Sequence, residues 1–221
     1  MSKNLIEERI EAGREYRRMS TIEARALEEN ENSYIVEGYA TTFNEEYTLY
    51  DWGDWKAIES IDARAFDNTD MSDVIMQYDH QGKVYARNKN GTLQLEVDDH
   101  GLKVRADLGG TEAGRQLYEE IKGGYTDKMS FGFTVDGDER TYFKDPDGTE
   151  GVRRIITSIR KLYDVSAVSI PANDATEISA RAISEGVITE AKAERLEAEK
   201  RAAEKERLQL RLRAMRINGG F

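Results

Sequence analysis

The sequence predicts an α+β fold that is mainly β, with a helical leader and a long C-terminal helix. Three features of its 221 residues predict this. Short runs rich in Val, Ile, Tyr, Phe and Thr, broken by Gly, Asn and Asp, occupy the chain from Tyr34 to Ile170. One amphipathic helical pattern interrupts them. Both ends are instead built from charged, helix-forming residues. The expected organisation is a leader over residues 1–30, a β-rich body over 31–180 and a charged helical tail over 181–221.

In the leader, Leu5, Ile6 and Ile10 give only a short apolar stripe among charges, which suits a surface helix ending near Tyr16 or a loosely held leader. Polar residues from Glu28 to Asn32 mark the first boundary. Strands are then expected from Tyr34 to Phe43, Lys56 to Glu59, Val74 to Asp79, Thr92 to Val97 and Leu102 to Leu108. The last two flank Asp98-Asp99-His100-Gly101, a hairpin signal. Thr111 to Lys122 reads as a helix: Thr111 is a good cap, Leu117, Tyr118 and Ile121 share one side, and Gly123-Gly124 ends it. Further strands are expected from Lys128 to Val135 and from Arg160 to Ile170. Between them lie the turn signal Asp145-Pro146-Asp147-Gly148 and a short strand from Val152 to Ser158. Pro171 stops the last strand. In the tail Thr189 suits an N-cap and Asn218-Gly219-Gly220 an end, but charges at most partner positions argue against a sustained coiled coil.

Composition excludes several classes of function. With no cysteine, there is no disulfide framework, thiolate zinc site or cysteine nucleophile. The first residues mix acids and bases and lack the apolar run of a signal peptide, and no stretch approaches the roughly 20 apolar residues of a membrane span. Neither classical export nor membrane insertion is expected. The net charge is −11, although Arg181 to Arg216 holds 10 bases against 7 acids, so the rest is more acidic still. Nucleic acid is not an expected partner, because binding it depends on neutralising phosphates with Lys and Arg. No phosphate-binding glycine loop, HExxH or histidine cluster is present, so no cofactor or metal is expected.

Only two histidines exist, and histidine is the usual general base near neutral pH. His100 sits in a hairpin turn and reads as a solvated residue. His80 ends the run VIMQYDH before Gln81-Gly82, where a strand would deliver it to a rim; an exposed strand-end histidine fits the same pattern. In KMSFGF, Ser130, Gly132 and Thr134 share a small polar face opposite Met129 and Phe131. That face suits a hydroxyl approached by a substrate backbone, or close packing against another element. In KLYDVSAVSIPA, Asp164 and Ser166 share a face. A carboxylate in so apolar a strand would need a partner such as an imidazole, whereas on an edge strand it would simply face water. His80, Ser130 and Asp164 supply the base, hydroxyl and orienting carboxylate that nucleophilic catalysis by serine requires. Asp79 is a poorer third member, since neighbours on a strand face opposite ways.

The series YRRM, EARA, YIVEGYATTFN, WKAIESIDARAF, YDH, KMSFGF and LYDVSAVSIPAN resembles the prohead proteases of tailed bacteriophages, relatives of the herpesvirus capsid-maturation protease, from about Tyr16 to Ala180. The resemblance implies a compact β-barrel flanked by helices and a serine endopeptidase working inside the immature shell in the host cytoplasm. Its implied substrates are segments of the scaffold and major capsid proteins, and the protease itself. It maps the catalytic histidine to His80, the serine to Ser130 and the third member to Asp164, a position more often Glu in the phage family and His in the herpesvirus relatives. By analogy the oxyanion is met by backbone N–H groups near Ala172 and Asn173. The charged ends then become segments removed by self-processing, and self-association becomes a way to control activity. The rival reading is a non-catalytic scaffolding or assembly protein acting through its acidic surface and terminal helices.

Overall fold

The structure is a computed structural model, and it describes residues 8–9, 12–23, 25–27, 33–51, 53, 55–168, 197, 200–201 and 203–209. Eleven strands and one α-helix are described in chain order: β1 (Glu15–Glu23), β2 (Arg25–Leu27), β3 (Ile35–Thr42), β4 (Tyr47–Asp51), β5 (Trp55–Ile61), β6 (Ile75–Tyr78), β7 (Gln81–Arg87), β8 (Leu93–Val97), β9 (Gly101–Asp107), α1 (Glu112–Lys122), β10 (Lys128–Lys144) and β11 (Glu150–Val168). They form two sheets. One runs β1-β10-β11-β5-β4 with β6 and β7 branching from β11, and the other runs β2-β3-β9-β8.

The long antiparallel pair β10–β11 is the spine of the first sheet. It turns through Asp145 to Gly148, where Gly148 takes φ 93° and donates its N–H to the Asp145 carbonyl. β11 pairs in parallel with β5 near its start, from Glu150 to Ile156, and with β6 near its end, from Asp164 to Ala167. Register breaks between Gly132 and Asp138 bend this pair, as bulges do. The apolar faces of both sheets and of α1 meet in one core that includes Val36, Phe66, Met76, Leu102, Leu117, Phe131, Ile156 and Leu162. Each expected strand has a counterpart, and two of the expectations fuse: Val152 to Ser158 and the described part of the next, Arg160 to Val168, belong to the single β11, while its expected end at Ile170 and Pro171 lies outside the described residues.

Helix α1 begins where expected. Thr111 is extended (φ −138°, ψ 157°) and its side chain accepts from the Gly114 N–H at 3.0 Å. Gly114, Leu117, Tyr118 and Ile121 are buried, the spacing of one helical face. Gly114 is fixed by close approach, because a Cβ there would lie 2.2 Å from the Leu108 carbonyl oxygen. Alanine normally gains about 1 kcal/mol over glycine inside a helix. Here Gly114→Ala should instead destabilise by about 1–3 kcal/mol, the usual cost of overpacking, measured as a lowered denaturant midpoint.

Two expectations need correction. The helical leader is not what residues 15–23 form: only Glu8 and Arg9 are helical among the described residues before β1, and Glu15–Glu23 is an edge strand paired antiparallel with β10. Tertiary pairing and a buried set of ion pairs override the helical preference of these charged residues. The strands also do not close into a barrel among the described residues, since β1 and β4 end the ladder unpaired with each other. Side chains span the gap instead. On β1, Arg17 pairs with Glu59 of β5, and Glu15 pairs with Arg154 of β11. In the tail, Glu197, Lys200, Arg201 and residues 203–209 are helical and exposed, and the rest of the expected C-terminal helix lies outside the described residues.

Candidate active site

The hairpin β6–β7 supplies the histidine. Tyr78 pairs with Gln81, so Asp79 and His80 are themselves the two central residues of the turn, and the expected Gln81-Gly82 turn is already strand. Both adopt left-handed backbone, with φ 46° at Asp79 and 60° at His80. Non-glycine residues there cost on the order of 1 kcal/mol or more each. Hydrogen bonds hold the turn against β11: the Asp79 N–H donates to the Ala167 carbonyl at 3.2 Å, and the His80 N–H donates to Ser166 Oγ at 3.2 Å. Arg9 Nη1 donates to the His80 carbonyl at 2.9 Å.

Ser130 lies near the start of β10 and Asp164 on its neighbour β11, where the register pairs Ser130 with Ser166 and Gly132 with Asp164. His80 reaches both across that pair. Its Nε2 is 2.6 Å from Ser130 Oγ, and its Nδ1 is 2.5 Å from Asp164 Oδ1. Ser166 Oγ donates to the same Asp164 oxygen at 3.1 Å. Thus three separate segments bring hydroxyl, imidazole and carboxylate into one chain of hydrogen bonds. His100, by contrast, stays in its exposed turn with its ring edge on Tyr39. Ala172 and Asn173 lie outside the described residues.

Burial would push the Asp164 carboxyl up, but the adjacent His80, then Arg14 and the hydrogen bond from Ser166, outweigh it and hold it below the usual carboxylate range. Arg14 Nη1 is 3.5 Å from Asp164 Oδ2, and its guanidinium lies over the Tyr163 ring. The Tyr16 ring packs on the His80 imidazole with centroids 4.4 Å apart. The Ser130 hydroxyl also donates to the Arg17 carbonyl at 2.7 Å. It has one proton, so the Arg17 oxygen and His80 Nε2 compete for it whenever Nε2 is unprotonated. All three side chains are sealed from solvent, at 1% exposure for His80 and 0% for Ser130 and Asp164.

A buried ion cluster lies behind β1. Arg17 pairs with Glu59 and Glu15, Arg154 pairs with Glu15, Glu59 and Asp138, and the Tyr47 hydroxyl donates to Glu59 at 2.5 Å. Burial would raise the Glu15 carboxyl, but the Arg17 charge and the Arg154 hydrogen bond hold it at about 2. Sequence reasoning missed Tyr16, Arg17 and Ser166 as neighbours of the site. Tyr16 ends the stretch that reads as a helix, Arg17 follows it in the charged leader, and Ser166 shows only as sharing a strand face with Asp164.

A hydroxyl in contact with an imidazole that in turn meets a buried carboxylate defines the serine hydrolase class of site. The caudovirus prohead serine protease family matches residues 20–189, and the chain belongs to it. It is therefore a serine peptidase with a role in phage maturation. No curated protein and no solved structure matches it.

Proposed function

We propose that the chain is an endopeptidase in which Ser130 is the nucleophile, His80 the general base and Asp164 the carboxylate that orients it. Its substrates on this reading are segments of the scaffold and major capsid proteins, and the chain itself, inside the prohead. The observation that carries it is one imidazole touching Ser130 at 2.6 Å through one nitrogen and Asp164 at 2.5 Å through the other.

With Nδ1–H donated to Asp164, Nε2 presents its lone pair to Ser130. As Oγ adds to the substrate carbonyl, Nε2 takes the hydroxyl proton, and Asp164 stabilises the imidazolium without itself becoming protonated. Nε2 then returns that proton to the leaving amine, which leaves an acyl group on Ser130. Water, deprotonated by the same nitrogen, releases the acid and regenerates the hydroxyl. The negative oxygen formed in each half needs preorganised N–H donors, a role assigned here to the backbone near Ala172 and Asn173.

Labelling with a fluorophosphonate probe tests this reading. Wild type should acquire one adduct on Ser130, Ser130→Ala none, and His80→Gln should react roughly 10⁴-fold more slowly. Processing of coexpressed capsid protein should fail in both variants. An adduct that persists in Ser130→Ala, or unchanged processing by His80→Gln, would overturn it.

A further inference from the structure

We propose that Ser166 is a positioning residue: a single buried hydroxyl that ties the backbone of His80 to the carboxylate of Asp164 and so fixes the imidazole against Ser130. This rests on the triad reading above, in which Ser166 has no chemical step.

The geometry gives Ser166 Oγ two partners with one sense of direction. The His80 N–H can only donate, so Oγ accepts there, at 3.2 Å, and its one proton goes to Asp164 Oδ1 at 3.1 Å. The same oxygen lies 3.2 Å from His80 Nδ1. Both ends of the His80–Asp164 pair are therefore referred to one atom on β11, a strand paired on both sides within its sheet.

The placement of His80 makes such a tie necessary. His80 sits in a two-residue turn whose two φ angles are both positive, and Asn-Gly or Asp-Gly usually fills such a turn. A histidine there has no local reason to keep this backbone. Its amide is held by Ser166, directly across from Ser130 in the β10–β11 register. Ser166 has 0% exposure. Alanine at this buried position removes the acceptor of the His80 N–H and one donor to Asp164. The imidazole would then be free to tilt away from the Ser130 hydroxyl.

The test uses the full chain, with Ser166→Ala, Ser166→Cys and Ser166→Thr, and the fluorophosphonate probe over a range of concentrations. Ser166→Ala should lower the limiting inactivation rate by about 10- to 100-fold, the cost of an ångström-scale misplacement, with half-saturation unchanged. Ser166→Thr, which keeps the hydroxyl, should recover part of the loss. Ser166→Cys, close in size but a weak donor and acceptor, should fall between and guards against an alanine variant that does not fold. Hydrogen exchange of the His80 amide supplies a readout that needs no activity: protected in wild type, fast in Ser166→Ala. A folded Ser166→Ala, or failing that Ser166→Cys, that reacts within twofold of wild type and keeps the His80 amide protected overturns the proposal. Labelling of Ser130→Ala would instead overturn the triad reading and leave the amide measurement to decide the role of Ser166.

Discussion

Gly132→Ala should remove at least about 99% of the reactivity of Ser130 although it replaces none of the proposed triad residues. A Cβ on residue 132 would lie 2.5 Å from Asp164 Oδ2 and 2.7 Å from Tyr16 Cε1, distances at which something must move. Neither neighbour yields easily. Asp164 is fully buried and bonded to His80 and Ser166, and the Tyr16 ring is wedged against the imidazole. The methyl group would therefore push the carboxylate off the imidazole, and a shift of about 1 Å costs on the order of 100-fold in rate. Stability should fall too, by about 1–3 kcal/mol, although alanine is ordinarily the better residue within a strand. Probe labelling and a denaturant titration measure the two effects. Wild-type reactivity in this variant would show that Asp164 need not hold its place.

The second large effect concerns stability. Glu59→Ala should cost about 3–5 kcal/mol, the usual penalty for removing one partner from a buried ion pair. Glu59 has 0% exposure and accepts from Arg17, Arg154 and Tyr47. Without it, two guanidinium groups at 2% and 4% exposure share what Glu15 and Asp138 can offer, and the Tyr47 hydroxyl loses its acceptor. Because domains are stable by only about 5–15 kcal/mol, the loss should appear as a large fall in the urea midpoint. Glu59→Gln, which keeps an acceptor but not the charge, should lose less. A change below about 1 kcal/mol for Glu59→Ala would mean that the cluster behaves like an exposed one.

The sequence carried more of the candidate site than of its surroundings. YDH, KMSFGF and the LYDVSAV of LYDVSAVSIPAN each stand on a strand or at its end, and local pattern suffices to find them. The hairpin at Asp98 to Gly101 and the cap at Thr111 were equally local, and both are observed. What pattern could not convey was set by contacts distant in the chain. Arg17 looks like one more charge in a helix-forming stretch until Glu59, 42 positions away, pairs with it. Closure failed to read for a related reason: alternation tells which face of a strand is buried, not whether the outermost strands join. The left-handed turn at Asp79 and His80 has no glycine to announce it, and the bonds that stabilise it come from β11.

The burial of Ser130, His80 and Asp164 has a thermodynamic consequence for the binding of a polypeptide substrate on the proposed reading. Ser130 has no exposed surface to meet a substrate strand, so on the proposed reading reaction begins only in molecules that have first parted around it. If those form a fraction f of the population, the apparent affinity is the intrinsic one multiplied by f. Each tenfold scarcity of the open form thus withholds about 1.4 kcal/mol from binding. On that reading, whatever favours opening raises the rate without touching the chemistry.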